Sequence, residues 1–334
     1  MSNAEAPPER PTLKTIAHMA GLAVSTVSQA LKDGADISEG TRARVKLIAR
    51  QIGYRPNRAG VRLRTGKTNV ISVVLNTQEE GSGVVSNMVF GISNALVDTP
   101  YHLVVTPYSH DDPMAPIRYI VETGSADGVI ISRIQPNDPR VRYLTDHNLP
   151  FATHGRTEMG IEHPHYDYDN EAFAIEALRQ LKSNGRKRTV LLGPPPGLTF
   201  HKHTHVGFER GLQLHGLSGS AIGSYNIDSS LQDIRQLGME LARRRERPDG
   251  IVSSSATASM ALATGLADGG MAIGRDYDIV TKHSTEILAL TWPRIMVMHE
   301  DFREAGFELA RMVMARIGGT ATQELQKVVG PIVN

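Results

Sequence analysis

The sequence predicts a small all-α head followed by a larger α/β body of two Rossmann-like lobes. Two short helical patterns separated by one glycine open the chain. From Asn69 onward, apolar runs of strand length alternate with amphipathic segments of helix length, which is typical of parallel sheets covered on both faces. That pattern extends to Asn334 and is longer than one sheet usually holds. We therefore expect two lobes with a cleft between them.

The first two helices form one unit. Thr12 is a suitable N-cap for the first helix, and Gly21 ends it with a residue that can take a positive φ. The second helix begins near Ala23 or Val24 and runs to about Leu31. A short helix, a glycine turn and a second short helix are typical of the helix-turn-helix arrangement. The apolar positions that keep the helical spacing are Leu13, Ile16, Ala17 and Ala20 in the first helix and Val27, Ala30 and Leu31 in the second.

A third helix and a basic linker complete the head. Ser38 caps the third helix and Gly53 ends it. Its buried face is predicted to contain Val45, Ile48, Ala49 and Ile52. The following segment RAGVRLRTGKT carries four positive side chains before Thr68 and a central glycine, so it is a poor helix alone. We expect it to be a linker that becomes ordered on contact.

The net charge of +1 conceals an asymmetry between head and body. Up to Asn69 the chain has 12 Lys and Arg against 5 Asp and Glu, whereas the remainder has 24 against 30. A basic head on an acidic body indicates that the head contacts a polyanion and the body does not. The alternative is that the basic surface serves only solubility.

The body is predicted from its alternating segments. The apolar strand-like runs are residues 70–75, 102–107, 127–132, 149–155, 188–194, 249–254, 277–282 and 295–300. The helical candidates between them include residues 84–97, 170–184, 205–215, 231–245 and 302–317.

Composition and motifs exclude several classes of protein. With 40% apolar and 21% charged residues, the chain resembles a soluble globular protein. The absence of cysteine excludes disulfides and thiolate metal sites and fits a reducing cytoplasm. The polar, proline-rich residues 1–10 do not resemble a secretory signal, and no apolar run approaches the length of a membrane span. We therefore expect a cytoplasmic protein whose first ten residues are disordered.

The chain resembles the LacI/GalR family of transcriptional regulators along essentially its whole length. The resemblance rests on TLKTIAHMAGLAVSTVSQAL, ISEGTRARV and IGYRPNRAGVRLRTGKT, and more weakly on DGVIIS, YDYDNEA and HEDFREAG. It implies a helix-turn-helix head at 11–54, a hinge at 55–68 and, at 69–334, a periplasmic-binding-protein-like body that dimerises and binds a small effector. The implied first lobe is about 69–158 with 301–319, and the second is about 159–300 with 320–334.

The resemblance assigns DNA contacts in the head. It places Val24, Ser25 and Gln29 at base edges in the major groove, which fits the start of a recognition helix. The positions that it places near phosphates are Thr12, Thr26 and Ser28. The alternative for the last two is that their hydroxyls satisfy local backbone groups.

Two residues of the second helix depart from the family pattern. Ala23 stands where the family usually has serine, which removes a capping oxygen worth about 1 kcal/mol. Gln29 stands where the family often has arginine. Arginine pairs with guanine, whereas glutamine pairs with adenine, so we predict adenine at that half-site position.

The hinge is also assigned by the resemblance, with Asn57 and Leu63 as DNA contacts. Leu63 aligns with the leucine that the family inserts into the minor groove, where an apolar side chain unstacks a base step. Gly60 lowers helix propensity by about 1 kcal/mol relative to alanine, so we expect a hinge that is disordered without DNA.

The resemblance places an effector cleft between the lobes. The positions that it assigns to the cleft are Thr77, Arg156, Asp169, Lys202, Tyr225, His283 and Phe302, with Lys282 as the alternative to His283. A set with Arg156, Lys202 and His283 but few acids favours an anionic or phosphorylated sugar, whereas a neutral saccharide is usual in the family.

The remaining alternatives concern metal binding and catalysis. The HKHTH segment at 201–205 offers histidines that could bind zinc or nickel, but it contains no carboxylate, so we expect a polar loop and no metal. The sequence has no G-x-S-x-G, P-loop or H-E-x-x-H motif, so we expect neither catalysis nor a cofactor. We predict a homodimeric repressor on a palindromic DNA operator, and the rivals are a solute-binding protein of a transporter and a sugar-active enzyme.

Overall fold

The computed structural model describes residues 11–32, 34–54, 62, 66–76, 83–108, 112–283, 288, 292 and 294–332. The chain divides into two compact units, Met1–Thr68 and Asn69–Asn334. The expected disordered start at 1–10 and most of the expected hinge, with Asn57 and Leu63, lie outside the described residues.

The head contains the three helices that the sequence predicts, α1 (Leu13–Ala20), α2 (Val24–Ala30) and α3 (Glu39–Gln51). Thr12 and Thr15 form a reciprocal capping box at the start of α1, and Gly21 ends α1 with a φ of 65°. Ala23 precedes α2 without a side-chain cap. One small core joins the three helices through Ile16, Ala17, Ala20, Val27, Ala30, Val45, Ile48 and Ala49.

The first sheet of the body is parallel and has the strand order β11-β5-β4-β3-β1-β2. Its strands are β1 (Val70–Asn76), β2 (His102–Tyr108), β3 (Gly128–Ile131), β4 (Phe151–His154), β5 (His165–Tyr168) and β11 (Gln326–Val329). The helices of this lobe are α4 (Val84–Ala95), α5 (Ala115–Thr123), α6 (Pro139–Asp146) and α11 (Phe302–Ile317). A short 3-10 helix, Thr322–Leu325, precedes β11.

The second sheet is also parallel, with the order β10-β9-β8-β6-β7. Its strands are β6 (Arg188–Leu192), β7 (Ser218–Ala221), β8 (Gly250–Ser253), β9 (Asp278–His283) and β10 (Met296–His299). The helices of this lobe are α7 (Asn170–Ser183), α8 (Thr199–His215), α9 (Leu231–Arg243) and α10 (Ala256–Asp268). Buried apolar clusters lie on the sheets in both lobes, so the predicted two-lobe α/β class is confirmed.

The boundary between the lobes differs from the expected one. The resemblance implies a second lobe of about 159–300 and 320–334, but β5 and β11 belong to the first sheet. The reason is the pairing, since β5 continues the sheet from β4 and β11 then adds to β5. The chain passes to the second lobe only at α7, and Ile332 pairs with His299 after β11.

The histidine-rich segment at 201–205 is helical rather than a loop. Helix α8 begins at Thr199, so His201 and His205 lie one turn apart, with ring centroids 3.9 Å apart and ring planes tilted by 34°. His203 lies on another side of the helix, with Nε2 3.8 Å from Glu158 Oε1. Within the described part of the chain, no group of three or more His, Cys, Asp or Glu side chains could hold a metal ion. A membrane-crossing helix is likewise not found there.

Gly91 on α4 and Gly306 on α11 allow the backbones of these two helices to pack closely. A Cβ on Gly91 would lie 1.9 Å from the carbonyl oxygen of Arg303, and one on Gly306 would lie 2.1 Å from that of Met88. Neither backbone can yield without separating the helices.

The Gly91→Ala variant is therefore expected to lower the free energy of unfolding of the body by about 1–3 kcal/mol, the usual cost of overpacking. Urea unfolding followed by circular dichroism measures this change. Ser93→Ala, at an exposed position of the same helix, is the matched control and should change it by less than about 0.5 kcal/mol. Equal stability of the two variants would contradict the close helix contact.

Candidate functional site

Helix α2 has one buried face and one exposed face. Val27 and Ala30 are fully buried in the core of the head. Val24, Ser25 and Gln29 are exposed, with 41% of Val24 accessible, and we call these three residues the reading face. The reading face combines one apolar side chain with two hydrogen-bonding ones, which is the chemistry that base edges require.

Other predicted DNA contacts lie beside the reading face in sequence. Thr12 is exposed at the start of α1, where its hydroxyl accepts a hydrogen bond from the Thr15 amide. Thr26 and Ser28 are half-buried, in keeping with a flanking position rather than with the core. Lys14 and Arg44 are exposed on α1 and α3 and supply positive charge to the head.

A cavity of about 390 Å³ lies between the two sheets of the body. It is built where the parallel strands of both lobes end and the next helices begin, which is the usual position of ligand sites in α/β proteins. Its polar and aromatic wall is formed by Ser132, Arg133, His154, Arg156, Asp167, Asn170, Thr199, Phe200, Asp228, Ser254, Lys282, Glu300 and Phe302. We call this space the first cavity.

Lys282 is the centre of a buried network in the first cavity. Its Nζ lies 2.9 Å from Glu300 Oε2 and donates a hydrogen bond of 2.7 Å to Asn170 Oδ1. The ammonium also lies 5.0 Å from the ring centroid of Tyr168 and 5.8 Å from that of Phe200, within the range of cation–π attraction. Lys282 and Glu300 are each only 7% exposed, so the pair is held away from bulk water.

Arg156 and Asp167 form a second ion pair on the wall. Arg156 Nε lies 3.1 Å from Asp167 Oδ2. Burial raises the pKa of Asp167 to about 6, although the Arg156 charge acts to lower it. An ionised Asp167 in the first cavity therefore lowers the stability of the folded protein, and this cost is fully present above about pH 6.

The first cavity collects polar atoms that have no hydrogen-bond partner within the described chain. They are His154 Nε2, Asp167 Oδ2, Thr199 Oγ1, Ser254 Oγ and Glu300 Oε2, and all five are buried. The two carboxylate oxygens have a cation nearby but no bond of hydrogen-bonding geometry. Burial lowers the pKa of His154, which favours the neutral form of its ring. Unsatisfied buried donors and acceptors of this kind are suited to a ligand with several hydroxyl groups.

The charges of the first cavity balance. Its cations are Arg133, Arg156 and Lys282, and their partners are Asp228, Asp167 and Glu300. The Arg133–Asp228 pair joins the lobes, and Arg133 holds a positive φ of 55°, a conformation that costs roughly 1 kcal/mol in a non-glycine residue. Three carboxylates therefore line the first cavity, in contrast to the predicted pocket with few acids.

Only some of the predicted effector residues line the first cavity. Arg156 and Phe302 line the first cavity. Asp169 does not, because its carboxylate caps α7 by accepting from the Ala172 amide, and Asn170 faces the cavity instead. Thr77 lies outside the described residues, as does the side chain of His283, while the neighbouring Lys282 lines the cavity.

Lys202 and Tyr225 also lie outside the first cavity. Lys202 is near the start of α8, where its exposed ammonium lies 2.6 Å from Glu158 Oε2, and Thr199 and Phe200 take the cavity positions. Tyr225 packs against the apolar core of the second lobe. Asn170, Lys282 and Glu300 line the first cavity instead.

Asp167→Asn is expected to stabilise the protein in a pH-dependent way. The folded state holds the Asp167 proton up to about pH 6, whereas the unfolded chain releases it near pH 4. Wild-type stability therefore falls as pH rises from about 4 to 6, and asparagine removes this loss. The difference in unfolding free energy should grow from near zero at pH 4 to about 2–3 kcal/mol at pH 7.5.

Urea unfolding at several pH values measures this difference. Asp276→Asn is the control with the opposite sign, because its partner Arg275 lowers the pKa of Asp276 to about 2. A difference for Asp167→Asn that is constant with pH, or that grows toward acid, would contradict the buried carboxylate.

Two family models match the chain. Residues 12–57 match the model for bacterial regulatory proteins of the lacI family, and residues 178–334 match a periplasmic binding protein-like domain. Among curated proteins, the HTH-type transcriptional regulator AglR of Rhizobium meliloti (strain 1021) is 30% identical over 323 residues, which cover 93% of this chain and 88% of that protein. The HTH-type transcriptional regulator RafR of Escherichia coli is 35% identical over 212 residues, or 62% of each chain.

Solved structures share the fold. The lac repressor dimer bound to operator and the anti-inducer ONPF aligns with a TM-score of 0.83 at 17% identity and covers 97% of both chains. The complex of the transcriptional regulator CelR with cellobiose aligns with a TM-score of 0.69 at 21% identity and covers 97% of this chain and 98% of that one. These relatives are regulators rather than enzymes, which confirms the prediction of a non-enzymatic protein.

Proposed function

The chain belongs to the LacI family of bacterial transcriptional regulators, and from this premise we propose that it is a repressor whose DNA binding is controlled by a neutral saccharide held in the first cavity. The observation that carries the effector proposal is the set of five buried, unsatisfied polar atoms on a wall with balanced charge. A sugar offers hydroxyls to both donors and acceptors, and Phe302 offers an apolar ring to its C–H face. The CelR–cellobiose complex, of similar fold, is a relative that binds a sugar.

An anionic or phosphorylated sugar fits the first cavity less well. Each cation on the wall already has a carboxylate partner, so an added phosphate would meet three paired cations and three negative groups. Displacing a buried carboxylate from its partner leaves a charge uncompensated, which is costly. A neutral ligand requires no such exchange.

A thermal-shift screen tests the effector proposal. Neutral sugars and their phosphates are compared at equal concentration, and a ligand at 100 times its Kd should stabilise the protein by about 2.7 kcal/mol. We expect stabilisation by a neutral sugar and loss of that stabilisation in Ser254→Ala, which removes one unsatisfied hydroxyl. Stronger stabilisation by a sugar phosphate than by its neutral parent would contradict the proposal.

We further propose that two copies of the chain bind a palindromic operator. On the first lobe, β2 is an edge strand of the described sheet and exposes Val104 by 43% and Val105 by 51%. Phe90 on α4 and Tyr119 on α5 are exposed by 57% and 61%. Exposed apolar groups beside an edge strand are typical of a surface covered by a partner.

Val105→Asp is expected to convert the dimer into a monomer and to weaken operator binding at least tenfold, because a buried charge would face the partner and one head would bind alone. Analytical ultracentrifugation measures the oligomeric state. Val206→Asp, at a 43% exposed position of the second lobe, is the control and should leave the dimer intact. A wild-type monomer, or a dimer that survives Val105→Asp, would overturn this assignment.

A further inference from the structure

The cleft between the lobes contains a second cavity beside the first, also of about 390 Å³. The first lobe contributes Tyr108, Gln135 and Arg140, and the second lobe contributes the Pro195–Leu198 turn and Asn226. Each cavity is near the lower end of the size range of small-molecule sites, about 300–1,000 Å³. We call this space the second cavity.

The two cavities share part of their walls. Arg133, Asp228 and Ser229 line both of them. The Arg133 guanidinium donates a hydrogen bond to the Asp228 carboxylate, and this pair joins the first lobe to the second. The two cavities therefore adjoin at this ion pair.

The second cavity is polar without excess charge. Arg140 is only 4% exposed and is neutralised by Asp138, with Nη2 2.6 Å from Oδ2 and Nε 3.0 Å from Oδ1. Its Nη1 is buried without a hydrogen-bond partner in the described chain. The neutral side chains of Gln135, Asn226 and Ser229 supply further donors and acceptors, and Pro195 and Pro196 supply an apolar surface.

This chemistry matches that of the first cavity. In both, paired charges, at least one unsatisfied buried polar atom and an apolar surface lie together, so the same class of ligand suits both. An anion is disfavoured in the second cavity because both of its arginines already have carboxylate partners.

We propose that the second cavity is a further sugar subsite, so that the effector is a disaccharide or a longer neutral oligosaccharide that spans the Arg133–Asp228 pair. One unit occupies the first cavity and the next occupies the second. The inference rests on the proposed sugar response and adds the length of the ligand.

Isothermal titration calorimetry of the full chain tests the subsite. The probes are glucose, galactose and fructose as single units, and maltose, cellobiose, melibiose and raffinose as longer sugars. At least one longer sugar should bind ten times more tightly than each of its component units. Gln135→Trp, at an exposed position on the wall of the second cavity, should then weaken that sugar at least tenfold and change monosaccharide binding by less than twofold.

Two further variants test whether the effect of Gln135→Trp is specific to the second cavity. Gln213→Trp makes the same substitution at an exposed position of α8 outside both cavities and should leave all affinities unchanged. Ser254→Ala, in the first cavity, should weaken short and long sugars alike.

The possible results distinguish a failure of the second subsite from a failure of the proposed sugar response. A monosaccharide that binds as tightly as every longer sugar, or a Gln135→Trp variant that leaves the longer sugar unaffected, overturns the subsite and retains the sugar response. Binding by none of the seven sugars overturns both.

Discussion

The Glu300→Leu variant is expected to lose about 3–5 kcal/mol of unfolding free energy, because it leaves the Lys282 ammonium buried without its counter-charge. Asn170 and the rings of Tyr168 and Phe200 still contact the ammonium, which places the expected loss at the lower end of that range. Urea unfolding measures the loss.

The double variant Lys282→Met/Glu300→Leu provides the matched control. It removes both charges, so most of the lost stability should return, in line with the small net value of many buried ion pairs. The sugar response should be lost in both variants, because both lack the Glu300 carboxylate that faces the first cavity. A stable Glu300→Leu variant, or a double variant that still responds to sugar, would contradict the assigned role of this pair.

The Gln29→Ala variant is expected to weaken operator binding by about 1–3 kcal/mol for each half-site, the value of one bidentate base contact. The exposed position of Gln29 on the reading face, with the buried Val27 and Ala30 behind it, supports a direct contact with a base edge. Binding sites selected from random DNA should show adenine at the position that Gln29 contacts, and Gln29→Ala should remove that preference.

Fluorescence anisotropy on the selected DNA measures the change. Gln29→Arg should shift the preferred base from adenine to guanine, whereas Gln51→Ala, exposed at the end of α3, should change affinity by less than twofold. A guanine in the wild-type site that is unaffected by Gln29→Ala would contradict glutamine readout.

The sequence predicts which strand ends form the site better than it predicts the individual side chains that line the cavity. Three residues of the first cavity are the last residues of predicted apolar runs, namely Ser254, Lys282 and Glu300. The carboxyl ends of parallel strands meet at one edge of a sheet, so this signal was sufficient to find them. The family resemblance instead indicates Asp169, whose carboxylate caps α7, in place of Asn170. Along β9 it leaves His283 or Lys282 open, and Lys282 lines the cavity.

Other features have no local signal. Strand β5 has the sequence HYDY, which is not an apolar run, so Asp167 and the true lobe boundary were not predicted. The Arg133–Asp228 pair joins residues 95 apart and depends on how the lobes meet. The helices of the head were predicted closely because caps and apolar spacing are local properties.

The most direct test of ligand-controlled DNA binding is the affinity of the full chain for its selected operator, measured by fluorescence anisotropy with and without the sugar found by thermal shift. We predict a change in Kd of at least tenfold at saturating sugar, with Ser254→Ala binding the same DNA but showing a much smaller change. An operator affinity that is identical with and without saturating sugar, or the absence of any retained DNA at low salt, would contradict the account.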